Sequence, residues 1–314
     1  MRSDLEQTYR DLRPYAFAIA YRMLGSVSEA EDIVQEMFLR MGQDDEAEIR
    51  SPKAYVATVT SRLAIDHLRS ARARRESYFG PWLPEPVVDG AVGSSGADVT
   101  GPAELADSLS MAFLVVLESL NPVERAVFLL HDVFSFGYDE IAAMVDKSEG
   151  NCRQVASRAR RRVQDEQPRF EPSREQRNEL AARFFDACQG RDLAGLVSML
   201  AEDAVFYGDG GTKGTGLNRP IYGRDGILAV LDTLFRQGER LGIVAEMVTV
   251  NGQPGAKFFD QEHRLINVIS VDICDGAVQA VRSVVNPDKL AHLGPLSPIG
   301  RRGHSPDWSD AAVD

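Results

Sequence analysis

Between Lys147 and Arg162 six Lys/Arg residues stand against one acid, Glu149, in a chain whose net charge is −12. At 100° per residue Cys152, Val155, Ala156, Ala159 and Val163 share one apolar stripe. Arg153, Gln154, Ser157, Arg158 and Arg161 then face the other way. Arg and Gln pair bidentately with guanine and adenine edges, and Arg160 and Arg162, flanking that face, carry the charge to hold phosphates. A solvated cationic face is the plainer reading of any Arg-rich helix. The setting favours DNA: helical spacing over Tyr138–Val145, a tight turn at Asp146-Lys147-Ser148, then the basic helix, which is the outline of a helix-turn-helix.

A second cationic stretch runs from Lys53 to Arg75, with six basic residues against Asp66 alone, while Met1 to Glu46 has five basic and ten acidic residues. Cations in the last turns of a helix also suit its dipole, so the stretch alone does not specify a ligand. Its neighbour adds information, because the segment around Glu29–Met41 is acid-rich and partly apolar, as suits a protein partner.

Three further helical patterns position these residues. Ser28 and Glu31 have capping-box spacing, and Ile33, Val34, Met37, Phe38 and Met41 follow at helical intervals. Ser51-Pro52 predicts a helix running to about Arg75, with Tyr55, Val56, Val59 and Leu63 inward. Asn121-Pro122-Val123-Glu124 repeats the cap, proline and acid before Val127 and Leu130. Between the halves, Gly80 to Pro102 is rich in Pro, Gly and Ser and reads as a flexible linker, within which Trp82 calls for a docking surface.

Beyond Pro172, helical patterns at Arg174–Gln189, Asp192–Leu200 and Arg224–Arg236 give way to β-branched runs. These are Ile243–Val250, Ala256–Phe259, Leu265–Ile273 and Ala277–Val285, with Asn251-Gly252 and Asp275-Gly276 at hairpin positions. Helices followed by an antiparallel sheet predict an α+β domain. The division expected is 1–79, a linker at 80–103, 104–167, 172–293 and a mobile tail at 294–314.

Composition excludes several classes. No apolar run is long enough to span a bilayer, and acids within the first six residues argue against a signal peptide. Three scattered cysteines read as reduced thiols in a cytoplasm, and neither Cys nor His has metal-ligand spacing, so no metal or other cofactor is expected.

These residues resemble the extracytoplasmic-function bacterial sigma factors. AEDIVQEMFLRM resembles the family's RNA polymerase-binding helix, SPKAYVATVTSRLAIDHLRSARARRE its promoter-melting and minus-ten segment, and LNPVERAVFLLHDVFSFGYDEIAAMV with SEGNCRQVASRARRRV its minus-thirty-five helix-turn-helix. The resemblance covers about residues 5–165. WLPEP, DGGTKG (Asp209–Gly214) and NPDKL (Asn286–Leu290) are similar to motifs of the SigJ-type group, which adds a SnoaL-like domain of the NTF2-like fold. The implied architecture is multidomain: two all-α sigma domains, then an α+β cone. Thr212 stands where that group has a third glycine, and Thr tolerates positive φ poorly, so the loop is expected to be tighter or differently turned.

The resemblance implies core RNA polymerase and promoter DNA as partners. Asp32, Gln35, Glu36 and Phe38 would meet the polymerase, and Arg62, His67, Arg69, Arg72, Arg74 and Arg75 would track the opened minus-ten strand. The C-terminal domain is expected to regulate in cis through Trp82, through Asp209, Gly210, Gly211 and Lys213, and through Asn286, Pro287, Asp288 and Lys289. An unspecified small ligand in its pocket stays open. Enzymatic activity is not expected, since fold does not deliver function, although Asp209, Asp225, His263 and Asp272 are titratable groups that a pocket could use. Two rivals stay open: a dimeric helix-turn-helix regulator that acts without polymerase, and a SnoaL-type enzyme fused to a DNA module.

Overall fold

Ser26, not Ser28, caps the second helix: its extended backbone lets Oγ accept from the Glu29 N–H at 3.2 Å. Gly25, at φ 66°, makes the turn that sets this register, and Ser28 falls inside the helix. The computed structural model describes residues 2–43, 49, 51–76, 78–89, 107–166, 174–217 and 219–302. They form two compact units: Met1–Glu76 with Ser95–Gln167, and Ser77–Ser94 with Pro168–Asp314.

The first unit is helical. α1 (Arg2–Leu24), α2 (Val27–Met41) and α3 (Pro52–Glu76) pack around Phe17, Ile19, Tyr21, Val34, Met37 and Ile65. Ser51 caps α3 ahead of the proline, accepting from the Ala54 N–H. The buried stripe of α3 is Val56, Ala57, Thr60, Ser61, Ala64, Ile65 and Leu68. It lies one position round from the expected one, leaving Tyr55 and Val59 on a surface hollow beside Arg40 and Arg62.

The second half of this unit is α4 (Met111–Leu117), α5 (Pro122–Phe128), α6 (Tyr138–Val145) and α7 (Glu149–Glu166). Asn121 and Glu124 form the capping box expected at α5. Leu114, Val127, Leu130, Ile141, Met144 and the Cys152–Val163 stripe supply the core. Three arginines join the halves. Arg22 Nε donates to Ser108 Oγ at 3.0 Å. Arg125 Nη1 donates to the Met23 carbonyl and to Glu118, both at 2.7 Å. Arg62 donates to the carbonyls of Met144 (2.9 Å) and Ala143 (2.8 Å).

In the second unit α8 (Arg174–Gly190), α9 (Leu193–Met199) and α10 (Arg224–Leu241) cover one face of a six-stranded sheet. Its strands are β1 (Leu200–Asp209), β2 (Ile221–Tyr222), β3 (Val244–Val250), β4 (Gln253–Phe259), β5 (Leu265–Cys274) and β6 (Ala277–Val284), in the order β2-β1-β6-β5-β4-β3. Asn251-Gly252 and Asp275-Gly276 turn the two hairpins with φ of 53° and 72°, and of 51° and 73°. The sheet is not purely antiparallel, as β1 runs parallel to β6. α11 (Pro287–Leu290) and a short 3-10 turn follow.

Two segments depart from expectation. Residues 78–89 are not a free linker but an extended strap that buries Leu83, Val87 and Val88 in the second unit, because those apolar side chains find a groove there. Residues 294–302 are not a mobile tail: Ser297 donates to the buried Asp260 at 2.6 Å, and Leu296 and Arg301 bridge to Leu265 and Gly214. The remainder of the expected linker (90–103) and tail (303–314) lies outside the described residues.

Candidate nucleic-acid interface and the Trp82 strap

Asp146, at φ 52°, ends α6 in the left-handed region and turns the chain. Ser148 Oγ accepts from the Asn151 N–H at 3.3 Å and starts α7. The stripe Cys152, Val155, Ala156, Ala159 and Val163 is buried. Gln154, Ser157, Arg158 and Arg161 are exposed together, and among the described residues neither Arg158 nor Arg161 makes an ion pair. Arg153 shares that face, paired with Glu149 one turn earlier and lying 5.6 Å over the Tyr138 ring. Arg160 is engaged inside the unit instead, with Nε on Asp132 (2.7 Å) and Nη2 on the Tyr138 hydroxyl (3.2 Å). Arg162 reaches Glu124 at 2.8 Å.

On α2, Asp32, Gln35 and Glu36 are exposed on one face, with Arg40 Nε 2.8 Å from Glu36. Phe38 is half-buried against Tyr9. The same face carries Leu39, 62% exposed, which the helical stripe leaves outside the core and which sequence reasoning did not single out. On α3, Arg69 is exposed beside Asp66. His67 Nε2 lies 3.0 Å from Glu29, and Arg62 is held by the α6 carbonyls. The side chains of Arg72, Arg74 and Arg75 lie outside the described residues.

The strap is held at two places. At the first, Asp209, wholly buried at the end of β1, accepts from the Tyr78 hydroxyl (2.6 Å), the Leu83 N–H (2.8 Å) and Lys289 Nζ (2.6 Å). Lys289 also donates to the Leu83 carbonyl and sits 4.5 Å over the Trp82 ring and 4.7 Å over the Tyr78 ring. Asn286 Nδ2 donates to the Tyr78 oxygen at 2.8 Å. Burial first, and the Asp209 charge second, push the Tyr78 phenol well above its ordinary range, so it stays a donor. At the second, Asn251 accepts from the Val87 N–H through Oδ1 (3.0 Å) and donates its own N–H to the Val87 carbonyl (2.8 Å). His292 Nε2 is 2.9 Å from the Pro86 carbonyl.

The glycine-rich loop makes this seat accessible. The positive φ of the loop falls on Gly211 (54°), not on Thr212. A Cβ at Gly211 would stand 2.6 Å from Asn286 Nδ2 and 3.1 Å from the Tyr78 oxygen. A Cβ at Gly210 would stand 2.2 Å from the Gly216 nitrogen, so the loop closes only with glycine there. Lys213 pairs with Asp288 at 2.8 Å in the open, and Pro287 starts α11. The three motifs of the sequence thus meet in one cluster. Tyr78 and Leu83 belong to it, and Asn251 and His292 to the second hold on the strap, without having been named as site residues. Of the other titratable groups, Asp272 pairs with Arg282 (2.7 Å), His263 stacks on Phe259, and Asp225 is exposed in the first turn of α10.

Two joined helical bundles, one presenting a helix-turn-helix with free arginines, followed by a helix-and-sheet cone, define a promoter-reading protein with an accessory domain. Family models match in that order: Sigma-70 region 2 at residues 8–74, Sigma-70 region 4 at 110–163 and the SnoaL-like domain at 181–283. The chain is 37% identical to the ECF RNA polymerase sigma factor SigJ of Mycobacterium tuberculosis, over 94% of this chain and 97% of that protein. It is 31% identical to the probable ECF RNA polymerase sigma factor SigI of the same organism, over 91% and 94%. The crystal structure of Mycobacterium tuberculosis SigJ superposes with a TM-score of 0.72 at 34% identity, covering 91% of this chain and 98% of that one. The chain belongs to the extracytoplasmic-function RNA polymerase sigma factors, in the SigJ-type group that carries a C-terminal SnoaL-like domain.

Proposed function

We propose that the chain joins core RNA polymerase as an alternative sigma factor, directs it to promoters and acts without catalysing a reaction of its own. The observation that carries this is the ordered pair of sigma regions within a 37% identity spanning 94% of the chain. The upstream element is read in duplex form by Arg153, Gln154, Ser157, Arg158 and Arg161, which share the solvent face of α7. Arg160 contributes by fixing α7 against Asp132. Arg69, Arg72, Arg74 and Arg75 follow the opened minus-ten strand; Arg62 and His67 join them on leaving the α6 carbonyls and Glu29. Asp32, Gln35, Glu36, Phe38 and Leu39 meet the polymerase. The corresponding domains are 1–76, 104–167 and a C-terminal domain from 172 that extends to 302 and retains residues 78–89. No helix among the described residues is long and apolar enough to cross a membrane, and the workplace is the cytoplasm, where polymerase is.

The C-terminal domain regulates in cis by retaining the strap. Residues 78–89 lie on the path between the two sigma regions, and those twelve residues represent about 40 Å of contour at 3.3 Å each. Retained, they shorten the connection between the minus-ten and minus-thirty-five readers; released, they lengthen it. A tethered seat needs little intrinsic affinity to act. A small molecule in the C-terminal domain is the proposed input.

Transcription by purified core polymerase tests both parts. The full chain is expected to shift promoter DNA poorly alone and well with core enzyme; equal binding without polymerase would favour a conventional helix-turn-helix regulator. Chains ending after Gln167 or after Leu290 are expected to change transcript yield, and unchanged yield in both overturns regulation in cis.

A further inference from the structure

The second unit holds a cavity of about 580 Å³ beneath α8 and α10, within the roughly 300–1,000 Å³ typical of drug-sized ligand sites. Phe184, Phe206, Leu231, Phe235, Phe258 and Ile269 are among the apolar residues of its wall. Its charged lining residues are Arg191 and Glu239, which pair with each other at 2.5 Å and are 43% and 70% exposed. Burial pushes the Cys188 thiol in the wall up to about 12, so it is neutral. Asp209, Asp225, His263 and Asp272 are not among the lining residues.

A charged ligand would find no counter-charge inside and would lose its hydration. The aromatic wall suits a flat ring system. Gln189, Thr215, Gln237, Asn267 and Ser283 are the uncharged polar side chains of the lining, and the last two are joined, Asn267 Nδ2 donating to Ser283 Oγ at 3.0 Å. The Asn267 carbonyl and the Ser283 hydroxyl proton can meet one hydroxyl or carbonyl of a ligand.

The cavity is also one residue from the strap's seat. Gly208 and Val285 line it, and the residues that follow them, Asp209 and Asn286, hold Tyr78. The Val285 N–H donates to the Asp209 carbonyl at 2.8 Å, linking the two strand ends. We propose that the cavity receives a neutral, ring-containing, largely apolar molecule with a hydroxyl or carbonyl that meets Asn267 and Ser283, and that its occupancy alters the hold of Asp209 and Asn286 on the strap. Any consequence for transcription rests on the regulatory reading of the strap; binding does not.

The full chain is titrated with N-phenyl-1-naphthylamine, a neutral fluorescent probe. One saturable site is expected, with a rise in Tm. Leu234→Trp, which fills the wall from α10, is expected to weaken the probe at least tenfold while circular dichroism stays unchanged. Competition by 1-naphthol is expected to exceed that by 1-methylnaphthalene, and Asn267→Leu to erase the preference. Absence of saturable binding, or equal binding by folded Leu234→Trp, overturns the site. Should Leu234→Trp not fold, an unaltered preference in Asn267→Leu overturns it. A site that opens only on removal of residues 303–314 also overturns it, since the chain's own tail would then be the occupant. Saturation is expected to change amide exchange at Leu83 and Val87 at least threefold, and unchanged exchange overturns the coupling. If binding and coupling hold while Trp82→Ala leaves transcription unaltered, the regulatory reading fails and the ligand site stands.

Discussion

Asp209 and Lys289 meet at 2.6 Å with side chains 0% and 9% exposed, and the strap's Leu83 donates to one and accepts from the other. Neither charge has water to fall back on. Asp209→Ala therefore strands a buried ammonium and is expected to cost about 3–5 kcal/mol, whereas replacing both members by apolar residues costs less. Urea denaturation of the two variants makes the comparison. Limited proteolysis is expected to cut Asp209→Ala within residues 78–89.

Arg158 and Arg160 stand two residues apart on α7 and should behave differently. Arg158→Ala is expected to reduce discrimination at the upstream element by about 1–3 kcal/mol, the usual cost of a lost bidentate base contact. A uniform loss over promoter variants would assign Arg158 to phosphate alone. Arg160→Ala removes the bonds to Asp132 and Tyr138 and is expected to lower the Tm of the first unit instead. Run-off transcription on a promoter library and calorimetry separate the two effects.

Asp260 ties the β4–β5 turn to residues 294–302. Burial pushes its carboxyl up, but hydrogen bonds from Ser297 and from the backbone and guanidinium of Arg264 outweigh burial and hold it below the ordinary range. A depressed folded-state value adds stability at neutral pH, and that stability is lost as pH falls below about 4, where the unfolded carboxyl takes up its proton. Asp260→Asn is expected to destabilise the second unit by about 1–3 kcal/mol at pH 7. The gap between variant and native chain should narrow on acidification below about pH 4, which urea midpoints from pH 7 down to about pH 2 would record.

Cys188 has the opposite sign. With its thiol pushed up to about 12 by burial, alkylation by iodoacetamide at pH 8 is expected to be about a thousandfold slower than for an ordinary thiol. The unfolded thiol ionises near pH 8.5, so this group's share of stability falls as pH rises above about 9. Mass-resolved alkylation of the native chain checks the first statement and denaturation between pH 7 and pH 10 the second.

The parts legible in the sequence are those where one local rule decides. The α7 stripe follows from a 3.6-residue period, and the hairpin turns from Asn-Gly and Asp-Gly at positions needing positive φ. β1 escaped because Glu202 and Asp203 interrupt its alternation and its partner β6 lies some seventy residues onward, in a parallel pairing that no turn announces. Trp82 was a usable signal within a Pro-rich stretch. Tyr78, Leu83 and Asn251 were not, since an extended segment has no period and the partners of Tyr78 and Leu83 at Asp209 are 131 and 126 residues away. Arg62 and Arg160 have the residue type of DNA contacts; only packing reveals their internal acceptors.

The strap precedes its seat along the chain: Leu83 leaves the ribosome 206 residues ahead of Lys289. At 5–20 residues per second that interval is about 10–40 s. The first promoter-reading bundle is already made and the second is synthesised within it, before the groove that captures Trp82 exists. Each newborn molecule therefore passes through a period in which the readers are made and the restraint is not, and that period lengthens wherever translation of the last third slows.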